Sequence, residues 1–374
     1  MEKCINRKKI SELRIHGYKS ISFDHPITLK LENINILLGA NGSGKSNIIG
    51  FFKMLSHMMN STFALFVEQS GTADSLLHYG SKITPLIIGQ VKFEDCHSSD
   101  SYHFSLSNAA PDRLIISEES IHCYNKENKQ SFDVDLEHEY KESALANSKN
   151  DVAKRIHTIL MNSKVYQFHD SSAEGPLRKA CPIETANYLQ SQGNNLPSFL
   201  LYLRNNYEDS YYRIVDYVRN VIPQFQDFYL EPNRQTISLR WIDRSATDYR
   251  FNAYQLSDGS IRFIALATLL LQPKETMPNV IILDEPELGL HPYAIGQLSE
   301  MIKDASIHSQ IIIATQSKDL VDYFDIENIS IVEMDEITQS TSLSHLNKKE
   351  YELWLDHYTV SELWDKNIIG GQPL

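Results

Sequence analysis

No apolar run in this 374-residue chain reaches membrane-spanning length, so a lipid-embedded protein is not expected. The first nine residues are polar, which argues against a secretory signal. Cysteine is scarce: Cys4, Cys96, Cys123 and Cys181 lie far apart, with no C-x-x-C pair. Free thiols, no disulfides and a cytoplasmic location are expected from that pattern. The pairs Cys96-His97 and His122-Cys123 lack the spacing of a zinc site. Positive charge is short too. A net charge of −13 disfavours indiscriminate nucleic-acid binding, although a local basic groove is compatible with an acidic protein. The densest N-terminal basic cluster, Arg7-Lys8-Lys9, is expected to be a solvated terminus. Internal repeats and low-complexity tracts are absent. What is present is ample apolar residue for a core, 42% of the chain.

The most specific motif is Gly39-Ala40-Asn41-Gly42-Ser43-Gly44-Lys45-Ser46, a GxxxxGKS phosphate loop. The apolar run Ile34 to Leu38 before it suits a buried strand that stops at Gly39. After Lys45, residues Ile48, Ile49, Phe52 and Leu55 recur at helical spacing. Strand, glycine turn and helix are the context this motif requires. Its glycines let backbone N–H groups converge on phosphates, and the positive end of the helix faces the same anion. Asn41 to Asn47 are therefore the candidate nucleotide-binding residues. Lys45 would reach the β- and γ-phosphates, and the Ser46 hydroxyl would face Mg2+.

A second apolar run, Val280 to Leu283, suits a central strand and ends in Asp284-Glu285. Asp284 is a candidate Mg2+ ligand, because that ion takes few carboxylates besides phosphate oxygens. Glu285 beside it is a candidate general base for an attacking water. A helix N-terminus rich in acids (Asp284, Glu285, Glu287) accounts for the same residues without catalysis. Between the two motifs, Leu256-Ser257-Asp258-Gly259-Ser260 opens a helical pattern carried by Ile261, Ile264, Ala265 and Leu269. A Ser-capped helix N-terminus with an exposed glycine is an anion site, or simply a capped helix. A helix is expected from His291-Pro292, and a buried strand over Ile311 to Ala314 that ends in Thr315-Gln316-Ser317.

Elsewhere, strands are expected over Leu86 to Phe93, through the alternating Tyr102, Phe104 and Leu106, and over Leu114 to Ile116, as an antiparallel flank. Lys126 to Lys164 is polar and charged, expected as helix plus loop. Leu196 to Pro223 is expected to be helical, with Leu200, Leu203, Ile214, Val218 and Val221 on one buried face. Ile237, Leu239 and Trp241 alternate as a strand.

Taken together, GANGSGKSN, LSDGSIRF, VIILDEPELGLHP and IIIATQS resemble the RecF/SMC/OLD branch of ABC-type ATPases, and more narrowly the bacterial AAA-21 type. Ile10 to Ile21 is similar to the first strands of those heads, and Leu353-Trp354-Leu355 and Ser361-Glu362-Leu363-Trp364 also have a familiar look. The resemblance implies an α/β fold: an ABC head with a mixed central sheet, an antiparallel β flank and an inserted helical subdomain. It implies one composite domain over 1–374, made of a phosphate-loop lobe (1–125), a helical insert (about 126–235), a signature, carboxylate-strand and switch region (about 236–340) and a tail (341–374).

It further implies that ATP and Mg2+ are bound, and that two chains form a homodimer with shared sites. Ser257 and Gly259 of the signature would meet the partner's γ-phosphate. Glu287 to Pro292 corresponds to the D-loop, and Gln316 takes the switch position where transporter subunits usually carry histidine. Glutamine there cannot carry charge near neutral pH. Gln316 joins Glu285 as a candidate catalytic residue. Val165 to Asp170 resembles the Q-loop, so His169 or Gln167 would contact Mg2+ or water. Asp258 and Ser260 depart from the usual LSGGQ, which suggests slow turnover.

The stretch between phosphate loop and signature is too short for a long coiled-coil arm, which needs sustained heptads. Residues 317–374 leave no room for a TOPRIM nuclease domain in this chain. The expected function is an ATP-driven switch for a separately encoded effector, such as a TOPRIM- or HNH-type nuclease, in bacterial antiviral defence. A RecF-like repair ATPase that binds DNA directly is the alternative. A transporter's nucleotide-binding subunit fits less well.

Overall fold

The computed structural model describes residues 7–136 and 141–372. Two compact units divide the chain. One comprises Met1–Lys164 with Asp325–Leu374, the other Val165–Phe324. Among the described residues, no helix is long and apolar enough to cross a membrane.

The first unit carries the antiparallel flank. Its six strands lie in the order Ile27–Lys30, Lys9–His16, Leu86–Glu94, Ser98–Ala109, Arg113–Asn125 and Gln130–Asp135. Burial alternates along Leu86–Glu94, and Tyr102, Phe104 and Leu106 all point inward, as period-two patterning requires. The Phe104 ring stacks on Phe51 of the helix Lys45–Met59, and Tyr18 meets Phe51 edge-on. Gly89 has room for no side chain, since a Cβ there would lie 2.2 Å from the Phe104 ring. In the same unit, Ile329–Asp335 runs parallel to Ile34–Leu38 and antiparallel to Ser340–His345. That mixed arrangement holds the strand that enters the phosphate loop.

The second unit is built on a parallel pair, Val280–Asp284 beside Gln310–Thr315. Both strands are buried almost throughout, which explains their continuous apolar sequences. The helix Asp258–Leu270 is buried from Phe263 to Leu270 without a polar stripe, as a helix surrounded by protein requires. Pro292–Ala305 follows the carboxylate strand, with His291 as its N-cap and Pro292 at the first helical position.

Several expectations fail, each for a physical reason. Gln130–Asp135 is a strand, although 126–164 looked like helix and loop; it is exposed almost throughout and paired only with Arg113–Asn125. An edge strand held by backbone bonds needs no apolar alternation. The helix Asp151–Met161 in the same stretch does form. The expected helix over 196–223 is two helices, Leu196–Asn206 and Glu208–Val221, broken at Tyr207 with φ −143°. Val221 is half-buried, and Ile222 takes the inward place instead. Ile237 and Trp241 lie in different sheets, one strand being Thr236–Ile237 and the other Arg240–Asp243.

Two corrections concern chemistry. Lys8 is not solvated: its ammonium, 8% exposed, pairs with Asp100, lies 3.6 Å from Asp95 and donates to Ser98 Oγ at 2.7 Å. A charge cluster marks a terminus as solvated only if no buried acid waits for it. Cys96 is disulfide-bonded, so the expectation of free thiols fails there, while Cys123 and Cys181 are free and buried. Cys4 lies outside the described residues.

Candidate functional site

The phosphate loop belongs to the first unit. Ile36, Leu37 and Leu38 are fully buried and deliver the chain to Gly39. A Cβ on Gly39 would lie 2.1 Å from the Val332 carbonyl oxygen of the neighbouring strand. Gly42 turns with φ +82° into open space, and Gly44 caps the helix with φ +108°. Both conformations favour glycine. At Gly44 a Cβ would also come 2.0 Å from Thr341 Oγ1. The hydroxyl of Thr341 donates to the Ser43 carbonyl at 3.1 Å. Ser20 Oγ lies 2.6 Å from Thr341 Oγ1, and Asn47 Nδ2 donates to Ser20 Oγ at 2.6 Å. The Ala40 N–H donates to the Gly371 carbonyl at 3.2 Å.

This loop fits a phosphate chain. Lys45, 6% exposed, turns its ammonium onto the carbonyl oxygens of Gly39 and Ala40 at 2.6 and 2.8 Å. A phosphate oxygen is a natural further acceptor for this ammonium. The Ser43 hydroxyl is buried with no hydrogen-bond partner. Ser46, at the start of the helix, and Asn41 and Gly42 in the loop are exposed.

The carboxylates lie in the second unit. Asp284 ends its strand, and the next residue, Glu285, has φ +43°, a left-handed conformation unusual outside glycine. The Glu285 N–H donates to the Ala314 carbonyl at 2.8 Å, so the turn is tied to the adjacent strand. Each carboxylate receives one carboxamide. Gln167 Nε2 donates to Asp284 Oδ2 at 2.7 Å, and Gln316 Nε2 donates to Glu285 Oε1 at 3.1 Å. His169 Nε2 lies 2.8 Å from the main-chain oxygen of Asp284. Both Q-loop candidates therefore reach Asp284, but only Gln167 reaches its carboxylate. Phe168, His169, Arg262, Leu283, Asp284 and Glu285 line one small cleft. The acids do not sit at a helix N-terminus, since the following helix starts only at Pro292.

Glu287 is a third carboxyl in this turn. It is buried, and Thr315 Oγ1 donates to its Oε1 at 2.6 Å. Its pKa is raised to about 7, chiefly by burial and also by Glu285 and Asp284, against the hydrogen bonds from Thr315 and its own backbone.

The signature element is in the same unit. Ser257 is the N-cap, and its Oγ accepts from the Ser260 N–H at 3.1 Å. Ser257 and Asp258 are exposed, and Gly259 and Ser260 partly so. Gly259 packs on the D-loop: a Cβ there would lie 2.2 Å from the Gly289 carbonyl oxygen. Two arginines that were not singled out in the sequence tie these loops together. Arg178, buried, donates to the Ser171 and Leu256 carbonyls at 2.8 and 3.1 Å and pairs with Asp258 at 2.8 Å. Arg262 donates to the carbonyls of Phe168, His169 and Leu288 at 3.1, 2.6 and 3.0 Å. Asp258, one of the departures from LSGGQ, is thus the acid that Arg178 requires. No signal in the sequence distinguishes these arginines from surface charges.

Similar folds are known. The Smc head bound to the C-terminal winged-helix domain of ScpA matches with a TM-score of 0.55 at 15% identity, covering 91% of this chain and 99% of that one. An Smc head with an extended coiled coil, bound to the C-terminal domain of ScpA derived from Pyrococcus furiosus, matches with a TM-score of 0.52 at 16% identity, covering 94% and 99%. The fold is therefore α/β and similar to that of SMC heads. Residues 34–322 match the AAA_21 family, described as "AAA domain, putative AbiEii toxin, Type IV TA system", and the chain belongs to that family. The chain thus carries an AAA domain of that family on a fold similar to that of SMC heads. Among curated proteins, an energy-coupling factor transporter ATP-binding protein, EcfA2 of Staphylococcus saprophyticus, is 29% identical over 92 residues, 24% of this chain and 30% of that one. The matched segments span only 22% to 33% of the curated relatives.

Proposed function

We propose that this chain is an ATP-hydrolysing switch: two copies close around shared ATP molecules, and hydrolysis releases them. The observation that carries the reading is the paired carboxamide–carboxylate arrangement, Gln167 on Asp284 and Gln316 on Glu285. Two adjacent acids, each approached by its own amide, have separate tasks. Asp284 and Ser46 are each candidates for Mg2+, which when bound would offset charge on the phosphates. Glu285 is the candidate base for water, and Gln316 orients its carboxylate. Lys45 and the amides of Asn41 to Asn47 hold phosphate.

Sharing between copies is supported by the exposure of the signature N-terminus. Ser257 presents a hydroxyl at the positive end of a 13-residue helix. A ligand that binds only the closed pair shifts the equilibrium by its differential affinity, so the output lies in what the closed pair recognises. We place that output in bacterial antiviral defence, acting through a separately encoded nuclease-type effector, a reading supported by the toxin–antitoxin description of the family.

Mixing tests the shared site. Lys45→Ala and Ser257→Arg chains are each expected to be inactive alone. In a mixture, half of the sites in each mixed pair combine an intact Lys45 with an intact Ser257, so activity returns. A mixture as inactive as its components would exclude sharing.

A further inference from the structure

Glu287 has no part in the chemistry assigned so far, yet its burial is costly. It is 8% exposed, and its Oε2 is buried without a hydrogen-bond partner. Leaving a buried carboxyl oxygen unpaired is costly, so an apolar residue would pack this turn more cheaply. The side chain that holds this carboxyl is Thr315. Glu287 Oε1 accepts the Thr315 hydroxyl proton at 2.6 Å, while the same Thr315 Oγ1 accepts the N–H of Ser317 at 2.9 Å. Thr315 is the last residue of its strand and fully buried. The residue between the two that are held is Gln316, whose amide reaches Glu285 Oε1 at 3.1 Å. The Glu285 backbone is fixed to the same strand through the Ala314 carbonyl. A closed loop of contacts therefore runs from Glu285 through the turn to Glu287, across to Thr315 and Ser317, and back through Gln316.

We propose that Glu287 is a positioning residue for ATP hydrolysis: through the Thr315 hydroxyl it fixes the backbone from which Gln316 holds Glu285. The inference rests on the roles given above to Glu285 and Gln316. It requires an acceptor at position 287 and a hydroxyl at 315, and nothing else of either side chain. Glu287→Gln keeps an acceptor oxygen and Thr315→Ser keeps the hydroxyl. Glu287→Leu and Thr315→Val remove the link while conserving size.

The test measures steady-state ATP turnover and, separately, the dissociation constant for ATP. Glu287→Leu and Thr315→Val are expected to lower kcat by roughly 10- to 100-fold, the scale of misplacing a reacting group by about an ångström. ATP affinity should stay within about threefold. Thr315→Ser and Glu287→Gln should stay near the wild-type rate, and the double variant should be no slower than the worse single one, because both cut the same link. Should Glu287→Leu fail to fold, the contrast of Thr315→Val with Thr315→Ser decides alone. Full turnover in Thr315→Val, with Glu285→Gln slow beside it, overturns the inference and leaves the reading of Glu285 standing. Full turnover in Glu285→Gln overturns that reading and the inference with it.

Discussion

The phosphate loop and the carboxylate turn are made of different material. The loop is shaped by backbone: Gly39 passes a carbonyl that leaves no space for a Cβ, Gly42 and Gly44 take left-handed φ, and Thr341 closes over Gly44. The carboxylate turn is shaped by side chains that hold one another, Gln167 on Asp284, Gln316 on Glu285, and Thr315 on Glu287. A backbone-built site exists as soon as its unit folds and tolerates no added atoms. A side-chain-built site tolerates isosteric change without unfolding and loses chemistry instead. That difference suits a switch, in which binding is preorganised and turnover depends on a network that can be disturbed.

The sharpest break is at Lys45, whose ammonium lies on the loop carbonyls of Gly39 and Ala40. Lys45→Ala is expected to remove measurable ATP binding in calorimetry while thermal unfolding stays cooperative. Glu285→Gln should separate the two regions, lowering kcat by about 10²–10⁴-fold with ATP affinity retained. Gly44→Ala should act through the fold. The Thr341 clash and the left-handed φ together are expected to cost about 2 kcal/mol or more, read as a lower denaturation midpoint with ATP binding lost alongside.

Glu287 gives the carboxylate turn a pH signature. Its ordinary value is 4.5 and its folded value is about 7. A raised folded pKa means the folded state binds the proton more tightly than the unfolded one. Stability from this group is therefore complete below pH 4.5 and is lost as pH rises towards about 7. Glu287→Gln should lose that part of the slope, so the Tm difference between variant and wild type changes between pH 5 and pH 8. The smallest effect on stability is expected at Ser257, an exposed cap, where Ser257→Ala should cost about 1 kcal/mol and weaken nucleotide-dependent association.

The same contrast explains what could be seen in the sequence. The phosphate loop, the strand into Asp284 and the Ser257 cap are local: spacing, glycines and apolar runs within about ten residues define them. Gln167 and His169 meet Asp284 only through tertiary contact, so the sequence left them as alternatives; in the fold each takes a different oxygen of that residue. Arg178, Arg262 and the burial of Glu287 had no local signal, because a charged residue looks solvated until its partner arrives from elsewhere in the chain. Lys8 beside Asp100 misled for the same reason. The polar edge strand Gln130–Asp135 was hidden because backbone pairing leaves no apolar pattern.

The claim that two copies close around ATP has a direct test in the mass of Glu285→Gln measured with and without saturating ATP and Mg2+. The account predicts a monomer without nucleotide and a stable dimer with it, reversed by adding Ser257→Arg to the same chain. A Glu285→Gln protein that binds ATP and remains monomeric would contradict it.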